Sequence, residues 1–553
     1  HRNLGTLLTE LGRYDEAKSG FQSALKLQPD DVGAYFGLAV TACARQRLEE
    51  GVERVLQVLM HEPRHVQGLH LWQQLVAELQ RRLAATPAHD TARLTDLLVQ
   101  LHNGYGVVLA RQRRFDEAIR VFRQALAWRP DAADVISNFA TALIEAGADE
   151  EAKSVLLAFL RHQPGNAGTH IKLGYLRVRA GEFDAATDSF RDALRCKPDS
   201  AEAYVNLGAV YERQGRLEEA IACCERALGY DANNAVAHCN LGMMYLRRGE
   251  WEQGWAEYEW RLRCAESAVA RCQHPRWDGS SLSEKTILLE CEQGLGDSIQ
   301  FVRFAPLAKR LGGRVVLECP PPLIPLLSTC AGVDSLVPRG APRPAFDVHA
   351  PLLSVPGILK MTPATIPPAV PYLSADAERA GRWQAELSHR TGYKVGLIWR
   401  GSGTETCDRE RSIPLAACEP LARMAGVVLY SLQRGGVRED LDRVSPQFPL
   451  EDLGRRLDMD GGAFLDTAAV MKQLDLIVTV DSAPAHLAGA LGVPVWVLLG
   501  EASDWRWLLN REDSVWYPTM RLFRRAHQES WHEVLERVAQ ELATRVAGQG
   551  GGS

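Results

Sequence analysis

Residues 475–492 read Asp-Leu-Ile-Val-Thr-Val-Asp-Ser-Ala-Pro-Ala-His-Leu-Ala-Gly-Ala-Leu-Gly. The apolar run that ends at Val480 has the length and the β-branched content of a buried strand. A polar turn follows, and Pro484 stands where a helix can begin, because the first helical turn has no use for its missing N–H. The stretch therefore predicts a buried strand, a tight turn and a helix, the unit from which parallel α/β sheets are built.

The start of that helix is a candidate anion site. Asp481 and Ser482 end the strand, and the N–H groups of residues 482–486, Ala483 included, would point at a ligand beside the positive end of the helix. His486 falls in the first turn and could donate to a phosphate or a sugar hydroxyl. The alternative is a packed histidine whose hydrogen bonds are satisfied within the protein.

From about residue 276 onward, short β-rich runs alternate with helical stretches, which favours parallel α/β sheets. A proline-rich stretch at 362–372 is predicted to be a linker, so that residues 277–370 and 390–546 would form two doubly wound domains facing a cleft. In such sheets, ligands bind beyond the carboxyl ends of the strands. The predicted strands are 286–290, 314–318, 394–399, 427–432, 476–480 and 493–499, and the predicted helices are 298–311, 414–424 and 467–474.

A second strand end carries two glycines and an acid. The run 290–297 passes from an apolar strand into Gly294-Leu-Gly296-Asp297, followed by a helical pattern. Glycines here would let the backbone approach a ligand at a helix start. The spacing fits neither a dinucleotide fingerprint nor a P-loop. Asp297 could serve the ligand chemistry or could simply cap the helix.

A third strand end is rich in arginine. Arg400 and Ser402 follow the run 394–399, and Arg409 and Arg411 come shortly after. Guanidinium groups beside a glycine-bearing turn are a plausible phosphate clamp. A solvated charge cluster explains the same spacing equally well.

Two other clusters favour structural roles. Asp458-Met-Asp460 spells a metal-binding signal, but it lies in a charged, glycine-rich loop and not at a strand end, so no metal site is predicted there. Trp505-Arg506-Trp507 follows the last predicted strand and could wall a ligand pocket, although an aromatic cluster of this kind more often packs a core.

The first half of the chain repeats with a period of about 34 residues. Four repeats share the same spacing of small residues: a glycine is followed by an alanine twelve residues later and by a further matching position four residues after that. Gly106, Ala118 and Phe122 are one such set. Seven units are recognisable across residues 1–262, with a degenerate one near 66–98. This pattern resembles the tetratricopeptide repeat family, whose units are helix–turn–helix pairs that need small residues where the helices meet. The repeat prolines are Pro29, Pro63, Pro130, Pro164 and Pro198.

Asparagines recur two residues before the small residue of the first helix in several units. Because an amide both donates and accepts, such a set could hold a peptide backbone without reading its sequence. The alternative is that Asn is common at this place in such repeats. The predicted peptide-binding residues are Asn3, Asn138, Asn206 and Asn240.

Three segments of the second half resemble the heptosyltransferase-like glycosyltransferases of family 9, which have the GT-B fold. They are Leu-Gly-Asp-Ser-Ile from residue 295, Arg-Ser-Ile-Pro from residue 411 and the stretch 481–492. The resemblance implies that Asp297 is a general base, that Arg411 contacts a nucleotide diphosphate, and that Asp481, Ser482 and His486 hold the diphosphate and the donor sugar. It also implies that no metal is needed. Ile413 stands where the family usually has Trp, and Ala483 where Gly is common, which leaves the donor open.

Composition excludes several classes of protein. The 553 residues are 46% hydrophobic and 24% charged, as in a globular chain, and the net charge of −6 argues against a nucleic-acid-binding protein. The longest apolar run is far too short to span a membrane. Twelve scattered cysteines without a Cys-x-x-Cys pair suit reduced thiols, so a cytoplasmic location is expected.

The sequence therefore predicts an α-solenoid followed by a GT-B α/β region, a layout that also resembles protein O-GlcNAc transferases. The predicted domains are a repeat superhelix (1–262), an acceptor-side lobe (263–375), a nucleotide-sugar lobe (376–546) and a flexible tail (547–553). The expected function is transfer of a sugar from a nucleotide sugar to a protein or peptide, flagellin-like by analogy, with homo-oligomers possible. A glycan-extending transferase and a scaffold with a degenerate GT-B domain are the alternatives.

Overall fold

The computed structural model describes residues 1–87, 91–264, 272, 274–401, 411–435, 437–444 and 448–550. The chain divides into two compact units, residues 1–210 and 211–553. The first unit is built from repeat helices. The second begins with the last repeat helices and continues into two parallel sheets. The compact units thus divide within the repeats, because the last repeat packs into the core of the α/β region.

Fifteen α-helices precede the first strand within the described part of the chain. They are α1 Arg2–Glu10, α2 Tyr14–Leu27, α3 Val32–Ala44, α4 Leu48–His61, α5 Val66–Ala85, α6 Ala92–Arg111, α7 Phe115–Trp128, α8 Ala133–Glu145, α9 Asp149–His162, α10 Ala167–Ala180, α11 Phe183–Cys196, α12 Ala201–Arg213, α13 Leu217–Tyr230, α14 Ala235–Arg248 and α15 Trp251–Tyr258.

The small residues of the repeats lie where an aromatic ring of the partner helix leaves no space. A Cβ at Gly106 of α6 would come within 2.5 Å of the Phe122 ring of α7. The same applies to Gly174 of α10, whose Cβ would lie 2.6 Å from Phe190 of α11. A Cβ at those distances is sterically impossible without movement of the ring, so glycine fixes the close packing of each pair.

The doubled interval between Pro63 and Pro130 has a structural cause. Helices α5 and α6 are both 20 residues long, against 13 or 14 for the helices on either side of them. Helix α6 pairs with α7 through Gly106, which leaves α5 as an additional helix between two regular pairs. The degenerate unit predicted near 66–98 is this additional helix and the lengthened start of α6.

The last repeat helix joins the core of the α/β region through its aromatic side chains. The Trp251 ring stacks on Trp516 at 5.4 Å, and Trp255 meets Trp505 edge-on at the same distance. All four indoles are buried. This confirms the prediction that the aromatic helix seals the repeats against the next domain.

Within the described residues, ten strands form two sheets in which every neighbouring pair is parallel. The sheet orders are β3-β2-β1-β4 and β10-β9-β8-β5-β6-β7. An α-solenoid followed by a parallel α/β region, the fold class predicted from the sequence, is thereby confirmed. The strands are β1 Thr286–Glu290, β2 Arg314–Cys319, β3 Ser335–Pro338, β4 Val348–Pro351, β5 Tyr393–Ile398, β6 Val427–Ser431, β7 Leu450–Asp452, β8 Leu476–Val480, β9 Val495–Leu499 and β10 Met520–Arg524.

The helices of this region are shorter than their sequence patterns. They are α16 Leu295–Phe301, α17 Ala305–Arg310, α18 Ile324–Leu327, α19 Val355–Ile358, α20 Ala377–Leu387, α21 Glu419–Ala422, α22 Val437–Arg443, α23 Leu465–Met471, α24 Ala483–Ala490 and α25 Trp531–Gly550. The predicted helix 298–311 is divided by a 3-10 turn before Pro306, and 414–424 is divided in the same way before Pro420. Proline explains both breaks, because it restricts the residue before it and starts a new helix at its first turn.

In each sheet, the order in which strands are added reverses next to a strand that leads into predicted site residues. In the first sheet β1 lies between β2 and β4, and its carboxyl end leads into Gly294 and Asp297. In the second sheet the order turns between β5 and β8, which lead into Arg400 and Asp481. Crevices at such points are where ligands bind in doubly wound sheets.

Candidate active site

Asp297 lies in the first turn of α16 and uses both carboxylate oxygens. Oδ2 accepts a hydrogen bond from the Gly294 backbone N–H at 2.9 Å. Gly294 is the N-cap residue and Asp297 the third residue of the helix, so Asp297 closes the helix start from within the first turn and not as the N-cap of the alternative interpretation. Oδ1 faces the Arg506 guanidinium, with Nη2 at 2.5 Å.

Arg506 comes from the loop after β9 and is almost completely buried. Its Nε donates to Gln300 Oε1 at 2.7 Å, its Nη1 to Asp504 Oδ1 at 2.9 Å, and its Nη2 to Asp297. The guanidinium also lies over the Trp505 ring, 4.5 Å from the centroid. One cation therefore ties the acid of the first lobe to the loop of the second, in a geometry fixed by four neighbours.

The environment of Asp297 makes it a better proton acceptor than a free aspartate. Burial raises the pKa of its carboxyl, and the nearby Asp504 acts in the same direction, while Arg506 and the Gly294 N–H oppose them. The side chain remains 19% exposed. A carboxylate with a raised pKa that a ligand can still reach suits a general base.

Gly296 brings the two helix starts together. A Cβ at Gly296 would lie 3.1 Å from Ala483 Cα and 3.3 Å from His486 Cδ2, both in α24. The first turns of α16 and α24 therefore lie in van der Waals contact, and a Cβ at Gly296 would crowd both residues of α24. The structure brings together the two sequence motifs that lie almost two hundred residues apart.

Asp481 is a second perturbed acid at this cleft. It is partly accessible to solvent but densely surrounded, and burial together with the Asp504 carboxylate raises its pKa to about 6. Arg411 and Arg506 lie close enough to oppose that shift. The Trp507 indole N–H also lies near, outside ordinary hydrogen-bond geometry. Asp481 is thus a second acid at this place whose pKa is raised by burial and by Asp504.

Ser482 and Ala483 form the start of α24. Ser482 is the N-cap residue in an extended conformation, its hydroxyl bonds to the Val480 carbonyl at 3.2 Å, and both residues are partly exposed. The predicted strand, turn and helix are all present here, and the helix begins one residue before Pro484.

His486 is buried among aromatic side chains. Its ring stacks on Trp507 at 5.4 Å, and Nδ1 lies 3.1 Å from the Tyr517 hydroxyl. Burial, with the cations of Arg506 and Arg303, lowers its pKa well below the usual value, so the ring is neutral. The packed histidine of the alternative interpretation describes this environment, and a neutral ring still has one N–H to donate.

The remaining predicted donor-site residues lie at the second sheet. Arg400 Nη1 donates to Asp440 Oδ2 at 3.2 Å, and its backbone N–H donates to Gln433 Oε1 at 3.0 Å. Arg411 is partly exposed and lies near Asp481. Ser402, and Arg409 with it, lie outside the described residues.

Parts of both halves match known protein families. Residues 463–518, which include the start of α24 and the Arg506 loop, match glycosyltransferase family 9 (heptosyltransferase). Residues 8–79, 109–171, 171–237 and 235–257 match tetratricopeptide repeats. Segments that match tetratricopeptide repeats thus precede a segment that matches family 9 glycosyltransferases. The recognition made from the sequence is thereby confirmed.

Two curated relatives share part of this arrangement. The chain is 31% identical over 316 residues to protein FlbA of Caulobacter vibrioides, covering 52% of both proteins. It is 27% identical over 131 residues to the protein O-mannosyl-transferase Tmtc3 of Drosophila melanogaster, which covers 24% of this chain and 12% of Tmtc3. The chain thus spans about half, or less, of the length of these relatives.

The solved structures that are similar to part of this chain include tetratricopeptide repeat proteins. A thermophilic repeat protein of Thermus thermophilus is 23% identical, covers 30% of this chain and 91% of its own, and has a TM-score of 0.27. YrrB, described as a repeat protein with an unusual peptide-binding site, is 16% identical, covers 39% and 95%, and has a TM-score of 0.24.

The repeat asparagines differ in their surroundings. Asn138 donates from Nδ2 to Asn103 Oδ1 at 3.0 Å, so part of its amide is engaged within the repeats. Asn3 is exposed, and Asn206 and Asn240 are partly exposed.

Arg506 is the main site residue that sequence reasoning did not single out. In the Trp505-Arg506-Trp507 segment, the sequence drew attention only to the two indoles. Both are buried, as expected for an aromatic cluster that packs a core. The available signal was a charged residue between two tryptophans directly after a buried strand, since a cation at that place needs an acidic partner. Asp504 and Asp297 supply it.

Asp458 of the Asp458-Met-Asp460 loop has structural contacts. Asp458 Oδ1 accepts the Asp466 backbone N–H at 2.7 Å, and Oδ2 accepts the Thr467 hydroxyl at 2.5 Å, which closes the start of α23. Among the described residues, no cluster of three or more His, Cys, Asp or Glu side chains could hold a metal ion. Likewise, no helix in the described ranges is long and apolar enough to cross a membrane.

Proposed function

We propose that the protein transfers a sugar from a nucleotide-sugar donor to a protein acceptor, with inversion at the anomeric carbon and without a metal. The observation that carries this proposal is the Asp297–Arg506 pair, which lies against the first turn of α24 in a family 9 glycosyltransferase segment. An acid with a raised pKa and a helix start for a diphosphate thereby meet in one cleft.

In this mechanism Asp297 removes the proton from an acceptor hydroxyl. The hydroxyl oxygen attacks the anomeric carbon, the bond between that carbon and the diphosphate oxygen breaks, and the proton stays on the carboxylate. Arg506 orients Asp297, and the Gly294 N–H holds its other oxygen. Since the carboxylate must be unprotonated to act, its raised pKa predicts that transfer is lost on acidification at a higher pH than for an ordinary aspartate.

The departing nucleotide diphosphate would be stabilised by fixed dipoles and cations. The N–H groups at the start of α24, the Ser482 hydroxyl, Arg400 and Arg411 are the groups proposed for this role. Gly296 keeps the start of α24 close, and Gly294 is proposed to let the ligand approach the backbone. Cationic side chains and a helix start supply the charge that a metal supplies in other transferases, which is why none is proposed.

The repeats would recruit the acceptor. Tetratricopeptide arrays present a long binding surface, and amides at a repeated position can bond to a peptide backbone of any sequence. The relative Tmtc3 is named a protein O-mannosyl-transferase, which supports a protein as acceptor. A flagellin-like substrate, a cytoplasmic location and homo-oligomers remain part of the proposal.

The test is Asp297→Asn, which keeps the shape of the side chain and removes the base. We expect kcat to fall by a factor of about 10² to 10⁴, with binding of the nucleotide diphosphate retained. Transfer is measured as the increase in intact mass of co-expressed acceptor candidates, and donor binding by calorimetry with a panel of nucleoside diphosphates. Asp513→Asn is the matched control, because that aspartate is 70% exposed and pairs only with Arg511 within the described contacts.

Undiminished turnover in Asp297→Asn would overturn the assignment of the base. Binding of none of the nucleotides would favour the scaffold alternative. Transfer to a purified glycan, but not to protein, would favour the glycan-extending transferase.

A further inference from the structure

The loop directly before α16, which leads to Asp297, is held by side chains of the last repeat. Gln293, directly before Gly294, has a φ of 61°, a left-handed conformation that a residue with a Cβ adopts only when its surroundings enforce it. The Gln293 side-chain amide meets the hydroxyl of Tyr258, with Nε2 donating at 3.1 Å. Tyr258 is the last residue of α15, in the last repeat.

The same tyrosine contacts the loop that carries Arg506. Its ring is buried and packs against Trp505, with the ring centroids 5.9 Å apart. The Arg506 guanidinium lies over the same Trp505 ring, 4.5 Å from its centroid. Tyr258 therefore touches both segments that supply the Asp297–Arg506 pair.

A second anchor from the same repeat holds the same loop. Arg261, in the 3-10 turn after α15, donates from Nη2 to Glu292 Oε1 at 2.6 Å and to the Ser354 hydroxyl at 2.8 Å. Glu292 and Gln293 are adjacent, so consecutive side chains of the loop are fixed by consecutive turns of the repeat. A buried ion pair with this geometry restricts the position of the loop strongly.

We propose that Tyr258 is a positioning residue for sugar transfer, since its hydroxyl fixes Gln293 and thereby sets the Asp297 carboxylate against Arg506. This inference rests on the proposed function. It gives the last repeat a role in the reaction itself, in addition to any role of the repeats in recruiting the acceptor. Tyr258 does not touch the reacting atoms in this proposal and acts through the loop.

The experiment compares Tyr258→Phe with Tyr245→Phe. Tyr258→Phe removes only the hydroxyl, and we expect kcat to fall about 10-fold with the KM values of donor and acceptor and the melting temperature unchanged, because small misplacement of a catalytic group lowers kcat. Tyr245 is the matched control: it belongs to the same repeat, and its hydroxyl donates to Glu225 at 3.2 Å, away from both loops. It should keep full activity.

A double-mutant cycle tests the route of the effect. If the hydroxyl acts through the Gln293 amide, Tyr258→Phe should cause no further loss in a Gln293→Met background. Hydrogen exchange of the peptide that contains residues 291–297 should also be faster in Tyr258→Phe than in Tyr245→Phe, whatever the activity. Additive losses, or an unchanged kcat in Tyr258→Phe, would overturn the proposal.

Asp297→Asn in the same assay separates the two levels of inference. Loss of transfer in Asp297→Asn with normal kcat in Tyr258→Phe would remove the positioning role and leave the base in place. Full transfer in Asp297→Asn would overturn both.

Discussion

An arginine and a glutamate three residues later recur at the turn between repeat helices, as Arg114–Glu117 does before α7 with Nε and Oε1 at 2.6 Å. Arg261 and Glu292 in the second unit form a pair of the same length. The first pair is one-third or more exposed and the second about 5%. Identical chemistry therefore serves two purposes, because water screens the first pair and leaves the second to fix a loop.

The two pairs belong to regions in which side chains are held in position by different interactions. In the repeats, position is fixed by shape, as when the Phe122 ring fills the space above Gly106. In the α/β region, position at the cleft is fixed by buried charge, with Arg506 holding Asp297, Asp504 and Gln300 at once. The packing of the repeats should therefore tolerate replacement of charged surface residues. The buried network around Arg506 should not tolerate the loss of one of its charges.

The largest effect is expected from Arg261→Met. The variant leaves Glu292 buried without its cation, which should lower the free energy of unfolding of the second unit by about 3–5 kcal/mol. Calorimetric melting of the full chain at pH 7.5 measures the loss. The variant Arg261→Met with Glu292→Gln is the control, and it should recover most of the stability, since no unpaired charge remains.

The same variant has a defined pH dependence. Burial raises the pKa of Glu292 even beside Arg261, and removal of the cation raises it further. The folded state then keeps a proton that the unfolded state releases above about pH 4.3, so stability falls as pH rises from that value through the folded pKa. The loss should be smaller at pH 5 than at pH 7.5. A loss below about 1 kcal/mol at pH 7.5 would contradict the role given to buried pairs.

The repeats could be predicted from the sequence more completely than the contacts at the cleft of the α/β region. The repeats can be recognised because each 34-residue unit has the same steric requirement. The spacing of Gly106 and Phe122 alone predicts that they meet between two helices. The strand ends at Asp297 and Asp481 were also readable, because glycine, proline and acid residues punctuate them. The strands β3, β4, β7 and β10 were missed: three are only three or four residues long, and two of these end in proline.

Arg506 and Tyr258 could not be placed in the site from sequence, since their roles depend on contacts that span about two hundred and about forty residues. No local period or spacing encodes that Tyr258 reaches Gln293 or that Arg506 reaches Asp297. Such contacts arise only when both lobes and the last repeat have packed. A packed core is specified by the sum of many side chains and not by a motif.

An intermediate effect is expected from the repeat asparagines. Replacing Asn138, Asn206 and Asn240 together by Ala should raise the acceptor KM about 10-fold, because each lost hydrogen bond contributes about 0.5–1.5 kcal/mol. Donor hydrolysis should not change, since the cleft is untouched. Steady-state kinetics with the acceptor measures the shift, and Asn233→Ala, an exposed asparagine between helices, is the control. An unchanged acceptor KM would make these asparagines structural only.

The smallest effect is expected from Glu117→Gln, which breaks the exposed Arg114–Glu117 ion pair. Its carboxylate pairs with Arg114 at the start of α7, and the arginine lowers the pKa of Glu117 through that hydrogen bond. Because water solvates both groups once the pair is broken, the melting temperature should move by less than about 1 °C. Calorimetry beside Arg261→Met gives the contrast directly. A shift as large as that of the buried pair would show that the repeats, too, depend on their charges for position.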